Sequence, residues 1–223
     1  MEGLTPKRQD TAVIERRWLS EKTFELDLTR PAGIRHVPGQ WIRLFPKGEG
    51  RDYTLVNAPS DPNLTVCIRR IRQGGTSDFL AGASMGTPLR LEGPSGYFAH
   101  RTSPRPAVFI ATGTGVAPFV SMARAGVTGF TLLHGTGSER ELYYGDLFRT
   151  AAARYIPCIS AATLPAESSD PVFRGRVTDY LNTRLPEGVY DFYLCGTGEM
   201  IREATAIIDD LFEESKLYIE NFD

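Results

Sequence analysis

The chain has 223 residues, room for one large domain or two modest ones, each with a real core. Its 25 basic and 27 acidic side chains leave a formal charge of -2, which argues against a nucleic-acid binder. Cys67, Cys158 and Cys195 stand too far apart for a zinc or iron–sulfur ligand set, and no run of about eighteen apolar residues appears. With no apolar leader at its start, the sequence predicts a reduced, cytoplasmic protein without a membrane partner.

Up to about residue 100 the chain reads as short β-like runs broken by Gly, Pro and Asn: "TAVIERRWLS", "TFELDLTR", "QWIRLFP", "RDYTLVN", "LTVCIRRI" and "PLRLEG". Several alternate with period two, and together they predict a small antiparallel barrel. The segment "TSDFLAGAS", residues 76–84, is the one helix expected there. Residues 100–107, "HRTSPRPA", are polar and proline-bearing and read as a linker.

Beyond the linker the rhythm changes. The runs "AVFIAT", "FTLLHG", "YIPCISAA" and "YDFYLCG" are apolar on both faces. Helical segments lie between and after them: "APFVSMARAG", "ERELYYGDLFRTAAA", "GRVTDYLNTR" and "GEMIREATAIIDDLFEES". Alternating strands and helices predict a parallel sheet covered on both sides. The expected architecture is an N-terminal antiparallel β-barrel, residues 1–101, followed by an α/β parallel-sheet nucleotide-binding domain, residues 102–223.

Four stretches carry chemistry. In "VFIATGTGVAPF" a strand runs into Gly113, Thr114 and Gly115, with Pro118 in the first helical turn. Glycines admit a pyrophosphate to the backbone, and the helix start offers unpaired N–H groups. In "RQGGTSDFLAG", Gly74 and Gly75 precede Thr76 and Ser77, and Ser77 is read either as an N-cap or as part of an anion site. In "YLCGTGEM" the last strand ends at Cys195 and Gly196, on the same sheet edge as Gly113. In "RDYTLVN", Arg51 and Tyr53 share a strand face fit for a flat, phosphorylated ligand; Thr54, on the other face, needs strand-end geometry to join them.

These elements in this order resemble the ferredoxin–NADP(H) reductase superfamily of flavin-dependent oxidoreductases. The resemblance rests on "PGQWIRL", "RDYTLVN", "VCIRRI", "GGTS", "GPSGYF", "GTGVAPF", "LLHGTGSERELYYGDLF", "LCGTGEM" and a terminal "YIENF". It implies that Tyr53 stacks on the isoalloxazine, Arg51 holds the flavin phosphate and Thr54 bonds near the reactive nitrogen, with Asp52 beside them. It further implies that Gly74, Gly75, Thr76 and Ser77 cover the pyrophosphate, with Cys67, Ile68 and Arg69 by the adenosine. Thr112, Gly113, Thr114, Gly115 and Pro118 would hold the nicotinamide cofactor, flanked by Cys195, Gly196 and Met200. Thr54, Cys195, Glu220 and Phe222 would surround the path of the electrons, with Phe222 shielding the flavin until nicotinamide displaces it. A phenylalanine rather than a tyrosine near the end, followed by Asp223, departs from the plant-type pattern.

FAD rather than FMN is expected because "VCIRRI" resembles the segment beside the FAD adenosine. A flavin is called for because nicotinamides give two electrons together and many acceptors take one. At the place where plant-type relatives carry an Arg for the 2′-phosphate, Ser160 is followed by Ala161 and Ala162. The expectation therefore leans to NADH over NADPH, with Arg140, Arg174 and Arg176 as substitutes for that Arg. No iron–sulfur motif is present, so the resemblance implies a stand-alone reductase module and a separate acceptor: a ferredoxin, a flavodoxin, an oxygenase component or a small molecule. Arg16, Arg17, Arg70, Arg72, Arg101 and Arg105 are candidates for a docking face. The alternatives are a free-flavin reductase and a non-catalytic electron-relay subunit.

Overall fold

The computed structural model describes residues 8–71, 75–161 and 172–221. The first lobe contains β1 (Gln9–Trp18), β2 (Thr23–Thr29), β3 (Trp41–Lys47), β4 (Glu49–Thr54), β5 (Asn63–Arg69), α1 (Thr76–Gly82) and β6 (Pro88–Ser95). Its strands form one antiparallel sheet in the order β4-β3-β6-β1-β2-β5. A bridge between Leu55 and Val66 joins the two outer strands, so the sheet closes on itself as expected.

Alternation explains the barrel's interior. Phe24, Leu26 and Leu28 of β2, Ile42 and Leu44 of β3, and Leu89 and Leu91 of β6 all turn inward into one cluster. Leu80 and Ala81 of α1 pack into the same cluster. The N-cap of α1 is Gly75, with no side-chain cap. Ser77 is already inside the helix and accepts a hydrogen bond from the Ile71 N–H at 3.1 Å instead of capping.

The second lobe contains β7 (Ala107–Thr112), α2 (Ala117–Arg124), β8 (Thr131–Thr136), α3 (Gly145–Ala151), β9 (Arg154–Ile159), β10 (Phe173–Arg174), α4 (Val177–Thr183), β11 (Asp191–Gly196), α5 (Gly198–Leu211) and β12 (Lys216–Asn221). All its strands are parallel, in the order β10-β9-β8-β7-β11-β12. The chain builds outward from β7 through β8 and β9, then crosses back to place β11 on the other side of β7. The strand order therefore reverses between β7 and β11, where ligands of open α/β sheets bind.

Here too the period of two sorts the core. Phe109 and Ala111 face α2 and α3, joining Phe119, Val120 and Phe148. Val108 and Ile110 face α4 and α5, joining Val177, Leu181, Ile201 and Ile208. Phe109 lies between Phe119 and Phe130 with ring centroids 4.5 and 4.4 Å away. Each such buried ring contributes about 2 to 3 kcal/mol by removal of apolar surface from water.

Three elements differ from the sequence reading. The segment at residues 139–153 is not one helix: a 3-10 turn at Glu139–Glu141 is separated from α3 by Tyr144, whose φ of 66° is left-handed. A helix cannot pass through that conformation, and a non-glycine residue adopts it only under tertiary constraint. The short β10 and the terminal β12 carry no strand pattern long or alternating enough to read.

The lobes are bonded to each other. Ser121 of α2 donates its hydroxyl to the Asn57 carbonyl at 2.9 Å, and Arg124 reaches the Val56 carbonyl at 3.1 Å. Val56, Cys67 and Phe98 from the first lobe pack into the α2-side core of the second. Among the described residues no helix is long and apolar enough to cross a membrane.

Candidate functional site

A cavity of about 880 Å³ runs between the barrel and the carboxyl edge of the parallel sheet. Its barrel wall is the end of β4. Arg51, Asp52, Tyr53 and Thr54 all line it, although alternation alone would split them between two faces. Thr54 is the last residue of the strand, and the following Leu55 N–H turns away to the Gln40 carbonyl at 3.0 Å. Strand-end geometry thus brings Thr54 to the cavity beside Tyr53.

The four differ in what they leave available. Asp52 is gripped by the fork of Arg43 across β3 and β4 at 2.6 and 2.7 Å, so its carboxylate serves the barrel rather than a ligand. Among the described residues no carboxylate pairs with Arg51, which leaves its fork for a ligand phosphate. The Tyr53 ring packs against the barrel core, and burial pushes its hydroxyl up to about 12 despite the nearby Arg51 charge.

On β5, Cys67 and Arg69 line the cavity while Ile68 does not. Ile68 is 1% exposed, its side chain turned into the barrel interior and away from the cavity, as alternation requires. Burial raises the Cys67 thiol to about 12, which makes it an inert packing group. Arg69 reaches across the cleft to Glu141 at 3.7 Å. Gly75, Thr76 and Ser77 complete this wall; Gly74 lies outside the described residues.

The opposite wall begins where β7 ends. Thr112 is followed by Gly113, whose φ of 54° starts a 3-10 turn, Gly113–Val116, leading into α2. A side chain at Gly115 would run into the Cys195 carbonyl, and one at Gly196 into the Thr112 hydroxyl. These glycines let the ends of β7 and β11 approach at the switch point. The Thr112 hydroxyl accepts from the Thr197 N–H at 3.1 Å, and Met200 lines the cavity one turn into α5.

Besides Ile68, three predicted positions among the described residues do not reach the cavity wall. Pro118 is buried in the first turn of α2. The Cys195 side chain is 0% exposed in the sheet core, and burial drives its thiol far above the ordinary value; its contribution is the backbone against Gly115. Glu220 sits opposite Cys195 in the β11–β12 register, half-buried, with its pKa raised first by burial and then by the charge of Asp52. Phe222 lies outside the described residues.

The cavity also has walls that sequence reasoning left without a role. Gly135 and Thr136 at the end of β8, with Gly137 just beyond it, line the cavity beside the end of β7, a signal readable in "HGTG". Thr178 lines the cavity too; its residue is 2% exposed and its hydroxyl has no hydrogen-bond partner.

Of the six arginines named as candidates for a docking face, the five described ones are each already engaged within the chain. Arg17 binds Glu15, Glu25 and Asp27; Arg70 binds Asp78; Arg105 binds Asp191. Arg16 donates to the Ala83 carbonyl and Arg101 lies over the Tyr218 ring, while Arg72 is outside the described residues.

A barrel and a parallel sheet meeting over one cavity, with glycine turns at the switch point, define a two-lobed flavin- and nicotinamide-dependent oxidoreductase. Residues 11–100 match the oxidoreductase FAD-binding domain and residues 109–206 the oxidoreductase NAD-binding domain. The toluate 1,2-dioxygenase electron transfer component of Pseudomonas putida is 31% identical over 225 residues, covering 95% of this chain and 66% of that protein. Ferredoxin–NADP reductase B of Sorangium cellulosum is 35% identical over 143 residues, covering 58% of this chain and 59% of that protein. A crystal structure of a ferredoxin NADP+ reductase from Neisseria gonorrhoeae with bound FAD and NADP superposes with a TM-score of 0.82 at 21% identity, covering 98% of this chain and all of that one. The chain belongs to the ferredoxin–NADP(H) reductase superfamily, and it spans about half to two thirds of the length of the curated relatives it matches.

The cavity suits both cofactors. It offers a flat apolar ring at Tyr53, a cation without a carboxylate partner at Arg51 and an unpartnered hydroxyl at Thr178. Both α1 and the 3-10 turn begin without a side-chain cap, so their leading N–H groups remain for phosphate oxygens.

Proposed function

We propose that this chain oxidises NADH and delivers the electrons, through FAD held by the barrel, to a separate one-electron carrier: a ferredoxin, a flavodoxin or an oxygenase component. One observation carries the reading. A single cavity is lined on one side by Arg51, Tyr53 and Thr54 and on the other by Gly113, Gly115 and Gly196, so two flat ring systems can meet between them. Electron transfer components of dioxygenases among the similar proteins support the same reading. The domains divide at residues 101 and 102, and the protein works in the cytoplasm, in keeping with three buried cysteines that stay free.

A flavin held there by Arg51, Tyr53 and Thr54 would supply the exchange between two-electron and one-electron chemistry. Tyr53 would cover one face of its ring, and Thr54 would offer its hydroxyl at the ring edge. Arg51 fixes the flavin phosphate with its planar fork, and Gly75, Thr76 and Ser77 add N–H groups. Gly113 keeps a side chain out of the cleft, while Gly115 and Gly196 let the ends of β7 and β11 close up beneath the space where nicotinamide would approach. Cys195 sets the spacing of that floor through its backbone, and Glu220 holds a carboxyl beside it.

The test is steady-state NADH oxidation with ferricyanide as a one-electron acceptor, together with flavin content. Wild type should turn over and retain FAD, and Arg51→Ala should release flavin several-fold more readily. Retained flavin with no NADH-dependent ferricyanide reduction would contradict the proposal.

A further inference from the structure

The same cavity extends past the glycine turns to Ser160, Arg176, Thr178, Glu199 and Glu203. At this end the buried Thr178 hydroxyl has no hydrogen-bond partner among the described residues and is free to bond a ligand. Arg176 is the lining cation here, and it is already engaged. Its Nη1 lies 3.3 Å from Glu199 Oε1 and 3.8 Å from Glu203 Oε2. The two glutamates are four residues apart at the start of α5, hence on one face of the helix. The Arg176 backbone N–H is also taken, by Asp179 Oδ2 at 2.7 Å.

We infer that Glu199 and Glu203, by holding Arg176, make this end of the cavity reject a 2′-phosphate and accept a 2′-hydroxyl. The inference rests on the nicotinamide reading above and names the residues that choose between the two coenzymes.

One guanidinium and two carboxylates leave the cluster with a net negative charge. A 2′-phosphate must displace the carboxylates from Arg176 and then lie beside them as a like charge. A ribose hydroxyl meets no such conflict and can donate to a carboxylate. The side chains are 44 to 71% exposed, so the ion pairs themselves add little stability. Selection needs only the difference between two ligands, and repulsive groups supply it without strong binding of either.

Titration calorimetry with ADP and 2′,5′-ADP reads this end of the cavity without flavin or turnover. In wild type ADP should bind more tightly. In the double variant Glu199→Gln, Glu203→Gln the ratio of affinities should move toward 2′,5′-ADP by about tenfold or more at low salt. Adding Arg176→Ala to that variant should abolish the gain. An unchanged ratio, or a gain that survives loss of Arg176, overturns the inference while leaving the nicotinamide reading standing. Failure of both nucleotides to bind wild type overturns the reading and the inference with it.

Discussion

The Tyr144 hydroxyl of the second lobe donates to Glu25 Oε1 of the barrel at 3.0 Å, joining two residues 119 positions apart. Glu25 is 4% exposed, and it also binds Arg17 of its own lobe at 2.8 Å and Arg124 of the other at 3.1 Å. The left-handed backbone at Tyr144 is what aims the ring at this carboxylate, and the local cost is offset by the contact. Arg17 continues the network to Asp27, which also accepts from Thr65 at 2.7 Å.

Glu25→Ala should therefore destabilise the protein by about 3 kcal/mol, because two partly buried guanidinium groups lose their shared partner. Tyr144→Phe removes one hydrogen bond and should cost about 1 kcal/mol. Urea unfolding of each variant checks the order of the two effects; equal, negligible losses would mean the network holds nothing together.

Gly115→Ala should cost about 1 to 3 kcal/mol, since the new methyl meets the Cys195 carbonyl, a backbone atom that cannot swing aside. The same methyl spreads the ends of β7 and β11, so nicotinamide affinity should fall with stability. Gly33→Ala serves as the comparison for a left-handed glycine whose surroundings are open. Thermal melting and coenzyme titration together separate a local clash from a backbone-strain effect.

His134 should make the fold acid-sensitive. It is 0% exposed, bonded through Nδ1 to the Tyr155 hydroxyl at 3.2 Å, with Nε2 unpartnered and the rings of Tyr143 and Phe148 around it. Burial lowers its pKa from 6.5 to about 3. The unfolded chain then binds the proton more readily, so stability is lost as pH falls from about 6.5 toward 3, on the order of 4 kcal/mol in all. In His134→Leu that part of the pH dependence should vanish, whatever the variant's stability at pH 7. Parallel curves for the two proteins from urea titrations at several pH values would refute this role.

The barrel and the sheet were readable because alternation, unbroken apolar runs and glycine turns are local signals: β7 and β11 are buried along nearly their whole length, as their apolar runs imply. The β4 end was legible for the same reason, including the need for strand-end geometry at Thr54. Ile68 and Cys195 were misplaced because a motif marks a segment, whereas side-chain direction follows the pleat and the sheet's two faces. The Glu25–Tyr144 contact and the Arg176 clamp were out of reach, since each joins elements distant in sequence. Arg17, Arg70 and Arg105 show the same limit: their carboxylate partners come together only in the folded chain.

The most direct test of the account is the absorbance spectrum of the purified protein before and after anaerobic addition of NADH. Flavin bands present at the outset and bleached by about one equivalent of NADH are expected if the cavity brings a flavin bound by Arg51 and Tyr53 against a nicotinamide seated over Gly113. A colourless protein that takes up neither FAD nor FMN, or flavin bands that persist after NADH, would contradict it.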